Sequence, residues 1–306
     1  MRKGRDRWLG AGLLTLGGLV ATSAILGPLL LDALVYRTSA TSLNQIIGVD
    51  AVGLFVVAPT SIIAGVLVLR GRPGAPVLGL APAVFAAYTY TQLIVGNEYG
   101  VLPGNVEHFF PLLLSTFVVA VSVAISAWIS LAAQAQAVRS PRADRAAGLV
   151  MLAVAAFVVL GLHLPTYLDA MSERPTGVGL LSSPTAFWLV KFMDLGIVTP
   201  LAVVVGVGML RRKGWARRPL YAVLGGFALL GLSVAAMAIT MYVTDDPESS
   251  LGLVIASSLA AAVMVVLAGY WYLPVLRNRT EVPAADDHQT YPCSRGRVEH
   301  AGGSRR

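Results

Sequence analysis

The sequence predicts an all-α protein, an eight-helix transmembrane bundle with both termini in the cytoplasm. Of the 306 residues, 56% are hydrophobic and only 13% are charged, whereas soluble domains are about one quarter charged. The hydrophobic residues fall in blocks of about 20 rather than in amphipathic stripes, which is typical of helices that cross a bilayer. Basic residues are concentrated in every second connection between these blocks. Together the three observations indicate a polytopic membrane protein.

Each hydrophobic block is long enough to cross about 30 Å of hydrocarbon at about 1.5 Å per residue. We predict spans at Trp8–Leu31, Gly48–Leu69, Ala75–Val95, Phe110–Ala133, Ala146–Leu164, Ala186–Leu210, Pro219–Met241 and Leu251–Leu276. The beginning of the first block could also be a cleaved signal peptide. Because the apolar run continues to Leu31, we interpret it as a span.

The distribution of Lys and Arg predicts the orientation, because these residues accumulate on the cytoplasmic side. All but three of the 23 lie at the termini or in alternate loops, the exceptions being Arg37, Arg174 and Lys191. Both termini therefore fall on the basic side, which requires an even number of spans. Arginine far outnumbers lysine in this Ala-, Gly- and Val-rich chain, which is typical of GC-rich bacterial coding. We expect a bacterial inner-membrane protein.

The polar tail, residues 277–306, is predicted to be a disordered cytoplasmic segment. It contains the single cysteine, Cys293, so a disulfide within the chain and a CxxC metal site are excluded. The four histidines show no ligand spacing, and we predict neither a metal nor a cofactor. The basic tail is interpreted as a positive-inside feature rather than as a nucleic-acid-binding arm. The expected partners are the lipid bilayer and a small solute or ion, and the oligomeric state stays open.

The two halves of the chain share three short patterns in the same order, at offsets of 138, 137 and 141 residues. The matched pairs are Asp6-Arg7-x-x-Gly10 with Asp144-Arg145-x-x-Gly148, Pro28-x-x-x-Asp32-Ala33-Leu34 with Pro165-x-x-x-Asp169-Ala170-Met171, and Pro59, Gly65 and Arg70 with Pro200, Gly206 and Arg211. We predict two four-helix repeats, residues 1–138 and 139–276. Because each has an even number of spans, the repeats insert in parallel and are related by an axis along the membrane normal.

Pro59 and Pro200 lie near the middles of the second and sixth spans. A proline inside a helix removes one backbone hydrogen bond and kinks the helix. The kinks could be static, but their symmetric placement favours two hinges.

Most of the 16 acidic residues lie on the predicted extracytoplasmic side. Short outer loops need charge for solubility, which explains only part of this bias. Lys191 and Asp194 lie within an apolar span, where ionisable residues are functional candidates. At a spacing of three residues they can pair with each other, and a structural ion pair is the alternative interpretation. We predict a ligand-binding site at this level, built from Asp32, Asp50, Tyr88, Tyr90, Glu98, Glu107, His163, Asp169, Lys191 and Asp194.

Several of these residues admit specific interpretations. Tyr88 and Tyr90 end the third span, where tyrosines commonly form an interfacial aromatic belt. His163 near Asp169 could be a carboxylate-oriented imidazole suited to proton transfer. Glu98 and Glu107 belong to a loop rich in Gly, Pro and Asn, and we expect them to face inward over the mouth of the bundle.

The Tyr88-x-Tyr90 pair, this acidic Pro-Gly-Asn loop and the helix from Asp194 to Pro200 resemble an uncharacterised group of bacterial multi-pass membrane proteins. The resemblance covers most of residues 48–240. It implies an integral membrane fold and supplies neither an activity nor a catalytic residue.

Three classes of function fit these features unequally. Duplicated halves, paired prolines and an acidic mouth favour transport of a small solute or ion. A non-catalytic sensor, scaffold or assembly partner is the alternative, because the predicted midplane is almost wholly apolar. A haem or quinone enzyme is disfavoured, because His108 and His163 both lie at the outer edge, where only one axial pair could form.

Overall fold

The structure is a computed structural model that describes residues 2–131 and 140–277. Within these ranges it is all-helical, with no β-strand, and eight helices are long and apolar enough to cross a membrane. They are α1 Arg2–Leu26, α2 Ala40–Leu69, α3 Ala75–Val95, α4 Val106–Ser130, α5 Pro141–Ala170, α6 Pro184–Leu210, α7 Gly214–Val243 and α8 Leu251–Arg277. This confirms the predicted all-α fold and the eight apolar helices. Three predicted features, the end of the fourth span at Ala133, the boundary between repeats and the tail beyond Arg277, lie outside the described residues.

Several helices differ in extent from the prediction: α1 ends at Leu26 rather than at Leu31, and two further differences affect the site. Helix α2 begins at Ala40 rather than Gly48, because Ser39 caps it by accepting a hydrogen bond from the Ser42 N–H. The polar residues that follow Ser39 are therefore helical, and Asp50 lies nearly three turns inside α2. Helix α5 does not end at Leu164 but continues to Ala170. A one-turn helix, Val178–Ser182, follows it in the connection to α6.

Helices α1 to α4 pack into a compact bundle around fully buried leucines, including Leu13 and Leu113. Helix α1 contacts both α2 and α4, and α3 contacts α2 and α4. The α1–α2 crossing is close because two glycines face each other: a Cβ on Gly65 would lie 2.9 Å from the carbonyl oxygen of Gly10. Small residues at such crossings allow transmembrane helices to approach closely.

The last four helices form two pairs, α5–α6 and α7–α8. The α5–α6 crossing also depends on facing glycines, since a Cβ on Gly206 would lie 3.0 Å from the Gly148 carbonyl oxygen. Helix α7 packs against α2 and α3, with Gly48 against the α7 backbone at Met237. Among the described residues α5 and α8 have no contact comparable to that between α1 and α4. The α5–α6 pair is therefore attached to the other helices mainly through α3 and α7.

Three of the helices contain a π-helical segment immediately before a proline. The segments are Gly53–Val57, Phe157–His163 and Asp194–Val198, which precede Pro59, Pro165 and Pro200. In each case the residue before the proline donates its N–H to the carbonyl five residues back. A proline has no N–H and its ring crowds the carbonyl four residues back. The wider π turn accommodates the ring, so the helix continues past it.

The facing glycines generate a test of the helix packing. Gly65→Ala and Gly206→Ala would each press a methyl group against a backbone carbonyl that cannot rotate away. We expect each to destabilise the protein by about 1–3 kcal/mol, measured as a lower Tm in detergent micelles. Gly18→Ala is the control, because a Cβ there would meet nothing within 4 Å. Equal Tm values for all three variants would contradict the packing.

Candidate functional site

A cluster of ionisable side chains joins α3, α5 and α6 around Asp194. The Tyr88 hydroxyl donates to Asp194 Oδ1 at 2.5 Å, and His163 Nε2 lies 2.9 Å from Asp194 Oδ2. The side chains of His163 and Asp194 are only 9% and 16% exposed. The imidazole and the carboxylate are thus within hydrogen-bond distance and can share a proton. We call Tyr88, His163 and Asp194 the Asp194 cluster.

The π turns position two members of the Asp194 cluster. Asp194 is the first residue of the π segment in α6, and His163 is the last residue of the π segment in α5. The two segments contact each other where α5 and α6 meet. Single π turns in membrane and soluble helices frequently occur at functional sites. The prolines that force the π turns thus contribute to the position of the carboxylate and the imidazole.

Two predicted pairings within this region are wrong. The carboxylate that orients His163 is Asp194, because Asp169, at the end of α5, accepts hydrogen bonds from the N–H groups of Thr176 and Gly177 in the loop that follows. Lys191 forms no ion pair with Asp194, whose two oxygens bind Tyr88 and His163. The Lys191 ammonium instead donates to Thr166 Oγ1 at 2.5 Å and lies 4.1 Å from the centroid of the Phe187 ring.

A second polar cluster is enclosed by α1, α2, α3 and the loop after α1. It consists of Ser23, Tyr36, Asp50 and Tyr90, each of which is 4% exposed or less. Asp50 Oδ2, the Tyr36 hydroxyl and the Ser23 hydroxyl have no hydrogen-bond partner. Burial raises the pKa of the Tyr36 phenol, and the Asp50 carboxylate raises it further, so Tyr36 is a neutral hydroxyl. We call these four residues the Asp50 cluster.

A cavity of about 90 Å³ lies between α2, α3, α6 and α7, next to the Asp50 cluster. This outer cavity has room for several water molecules. Tyr36 of the Asp50 cluster lines it, and so does Gln92, one helical turn after Tyr88. Its other polar lining residues include Thr38, Ser42, Gln45 and Thr89. The combination of apolar walls and a few polar groups is typical of small-molecule sites.

Helix α3 supplies one tyrosine to each cluster. Residues two apart on an α-helix point about 200° apart, so Tyr88 faces Asp194 while Tyr90 faces α1 and α2. Tyr90 is 4% exposed, which does not fit the alternative of an interfacial aromatic belt. The Tyr-x-Tyr spacing makes α3 the element that separates the two clusters.

Two predicted site residues, Glu98 and Glu107, bind neighbouring segments of the chain and do not line the cavity. Glu98 is buried and accepts hydrogen bonds from the N–H and the hydroxyl of Thr185, both at 2.7 Å, at the beginning of α6. Glu107 is exposed and accepts two hydrogen bonds from the Arg37 guanidinium, at 3.0 and 2.5 Å. The expectation of an inward-facing carboxylate is therefore wrong for Glu107, whereas Glu98 is buried between its loop and α6.

None of the ten predicted site residues is among those that line the cavity. Asp32 is exposed in the loop after α1, with a left-handed backbone at φ 49°. Asp169 accepts hydrogen bonds from Thr176 and Gly177 in the loop after α5. The predicted site thus divides into the Asp194 cluster with Lys191 beside it, the Asp50 cluster, and four carboxylates at the surface or in the outer loops.

Two residues of the Asp50 cluster and the partner of Lys191 carry no clear signal in the sequence. Ser23 and Thr166 are single hydroxyls in helices, and such residues commonly bond to their own backbone. Tyr36 lies in a loop next to Arg37, and only the fold brings it to Asp50. Among the described residues no group of three or more His, Cys, Asp or Glu could hold a metal ion.

No protein-family model matches the chain, and searches of curated proteins and of solved structures found no significant match. The functional interpretation therefore depends on the geometry of the two clusters and the cavity.

The hydrogen bond between Tyr88 and Asp194 can be tested by a double-mutant cycle. Tyr88→Phe and Asp194→Asn should be coupled by about 0.5–3 kcal/mol in the free energy of unfolding. The matched control is Tyr88→Phe with Asp169→Asn, which share no partner and should be additive within about 0.5 kcal/mol. Additive effects of Tyr88→Phe and Asp194→Asn would contradict the contact.

Proposed function

We propose that the protein transports a small polar solute or an ion across a bacterial inner membrane. The outer cavity is its binding site, open to the extracytoplasmic side. The observation that supports this proposal is a cavity lined by Tyr36 of the Asp50 cluster and by Gln92, one helical turn from Tyr88 of the Asp194 cluster, so that two clusters of ionisable side chains lie close to it. In membrane proteins such groups are costly to bury and are typical of substrate and ion pathways.

The proposal includes the predicted topology, with both termini in the cytoplasm and two parallel four-helix repeats. Three similarities between the α1–α2 and α5–α6 pairs support the duplication. Each pair crosses at facing glycines, Gly10 with Gly65 and Gly148 with Gly206. The second helix of each pair has a five-residue π segment before its proline. Each of these helices then ends after 12 more residues at an arginine with φ −81° and ψ 5°.

Movement of the α5–α6 pair relative to α3 is the proposed conformational step. This pair has few contacts with the rest of the bundle, apart from those with α3 and α7. Moving it would break the bond between Tyr88 and Asp194 and change the wall of the outer cavity at Leu189 and Val190. Pro59 and Pro200 are the proposed hinges, because a π turn can shift register more easily than a regular helix.

A non-catalytic sensor or scaffold is the second candidate function. The observation that favours it is the ordered outer surface, where Asn97 and Asn105 accept hydrogen bonds from the backbone of the loop after α1. An ordered surface of this kind could bind a protein. It does not require the buried ionisable residues, and for that reason we favour transport.

A thermal-shift screen tests binding in the outer cavity. Purified protein in detergent would be exposed to amino acids, sugars and polyamines between pH 5 and 8, at constant sodium concentration. We expect at least one probe to raise the Tm in a saturable manner, because a ligand that binds only the folded state stabilises it. The shift should be lost in Asp194→Asn, which removes the acceptor of Tyr88 one helical turn from the cavity-lining Gln92, and kept in Asp169→Asn, whose carboxylate binds Thr176 and Gly177.

A probe that passes this screen would then be used, in labelled form, for uptake into proteoliposomes. Uptake by the wild type that is abolished in Asp194→Asn would support transport. Absence of any solute-dependent shift over the whole pH range would contradict it and favour the sensor or scaffold.

A further inference from the structure

We propose that the Asp50 cluster binds a sodium ion. This site is separate from the outer cavity, and the proposal does not depend on transport of a solute. It follows from the charge, the unpartnered oxygen atoms and the enclosure of the four side chains.

The charge of the cluster calls for one cation. Asp50 is 4% exposed, and no Lys, Arg or His of the described chain forms an ion pair with it. The titratable groups that face it are the phenols of Tyr36 and Tyr90. A buried charge without a partner is strongly unfavourable, so an ionised Asp50 needs one positive charge beside it.

The available ligands are all oxygen atoms. Asp50 Oδ2, the Ser23 hydroxyl and the Tyr36 hydroxyl are buried and lack hydrogen-bond partners. The Ser23 hydroxyl lies near the phenols of both Tyr36 and Tyr90. Ser23 interacts with both phenols, but neither its hydroxyl nor that of Tyr36 has a partner in good hydrogen-bonding geometry, and such oxygen atoms can instead ligate a cation. Hard cations prefer such oxygen ligands.

The backbone around the cluster also favours a cation. Asp50 Oδ2 lies against Gly27, directly after the end of α1, where a Cβ would clash with the carboxylate. The carboxyl end of a helix carries a partial negative charge. A carboxylate and a helix carboxyl end repel each other, and a cation between them would remove this repulsion.

A single carboxylate selects for a monovalent ion. Divalent sites in proteins commonly use several carboxylates, and Asp50 has no second acidic residue in its cluster. A proton could neutralise Asp50 as well, but it would bond to one oxygen and leave the other hydroxyls without partners. Sodium could be bound by several of these oxygen atoms at once.

Sodium binding can be tested by thermal unfolding of the full chain in detergent, with NaCl, KCl or choline chloride at constant ionic strength. We expect a saturable rise in Tm with NaCl that is much weaker with KCl and lacking with choline chloride. The rise should diminish toward acidic pH, since protons compete for the carboxylate. Direct binding of ²²Na⁺ would be measured on the same samples.

Variants locate the ion within the molecule. Asp50→Asn should abolish the sodium response, whereas Asp32→Asn, an exposed carboxylate in the loop after α1, should keep it. Tyr36→Phe and Ser23→Ala remove one hydroxyl each and provide the test if Asp50→Asn fails to fold. Each should raise the sodium concentration at half-saturation, by roughly tenfold if the loss resembles that of other ligand-shell groups.

Three results would overturn the proposal. One is an equal response to all three salts. Another is a Tm that rises with falling pH and does not respond to sodium, which would make Asp50 a proton site. The third is a sodium response that is lost in Asp194→Asn but kept in Asp50→Asn. Because the solute screen depends on Asp194 at constant sodium, failure of transport and failure of sodium binding are distinguishable.

Discussion

A peptide backbone that crosses hydrocarbon must satisfy its own hydrogen bonds, because no water is present to do so. Each proline inside a span removes one of these bonds. In this protein, π turns accommodate three of the prolines, so that the helices continue past them. Two of these turns meet where α5 contacts α6 and carry His163 and Asp194. The requirement for an unbroken helix and the position of the ionisable cluster therefore have the same structural origin.

The same absence of water makes the pairing of polar side chains informative. Asp194 uses both of its oxygens, Lys191 has Thr166 and an aromatic ring, and Glu98 caps α6. Asp50 differs from these, since one of its oxygens and two neighbouring hydroxyls have no partner. Tyr88 and Tyr90 lie on opposite sides of α3, and each belongs to one cluster. The hydrogen bonds of Asp194 on one side are satisfied, whereas those of Asp50 on the other side are not.

The eight helices were predictable from sequence because long apolar blocks and alternating basic loops are properties of contiguous residues. The site was predictable only in part. Tyr88, His163 and Asp194 were recognised as polar groups at one level, but their mutual contacts depend on how α3, α5 and α6 pack. Helix α5 was predicted to end at Leu164, before Pro165, because the compensating π turn has no sequence signature. Tyr36 and Ser23 were missed because their proximity to Asp50 arises from the return of the loop after α1 over the bundle. Glu98 and Glu107 were placed wrongly because a loop's composition predicts turns and not the direction of its carboxylates.

The central claim, that both clusters and the outer cavity face the extracytoplasmic side, is tested most directly by the sidedness of single cysteines. Cys293 is the one native cysteine, beyond the described part of the chain, and Asp32→Cys in a Cys293→Ser background would mark the loop after α1. A membrane-impermeant maleimide should label Asp32→Cys in intact spheroplasts and should label native Cys293 only after lysis. Labelling of Cys293 without lysis, together with protection of Asp32→Cys, would invert the topology and place the cavity on the cytoplasmic side.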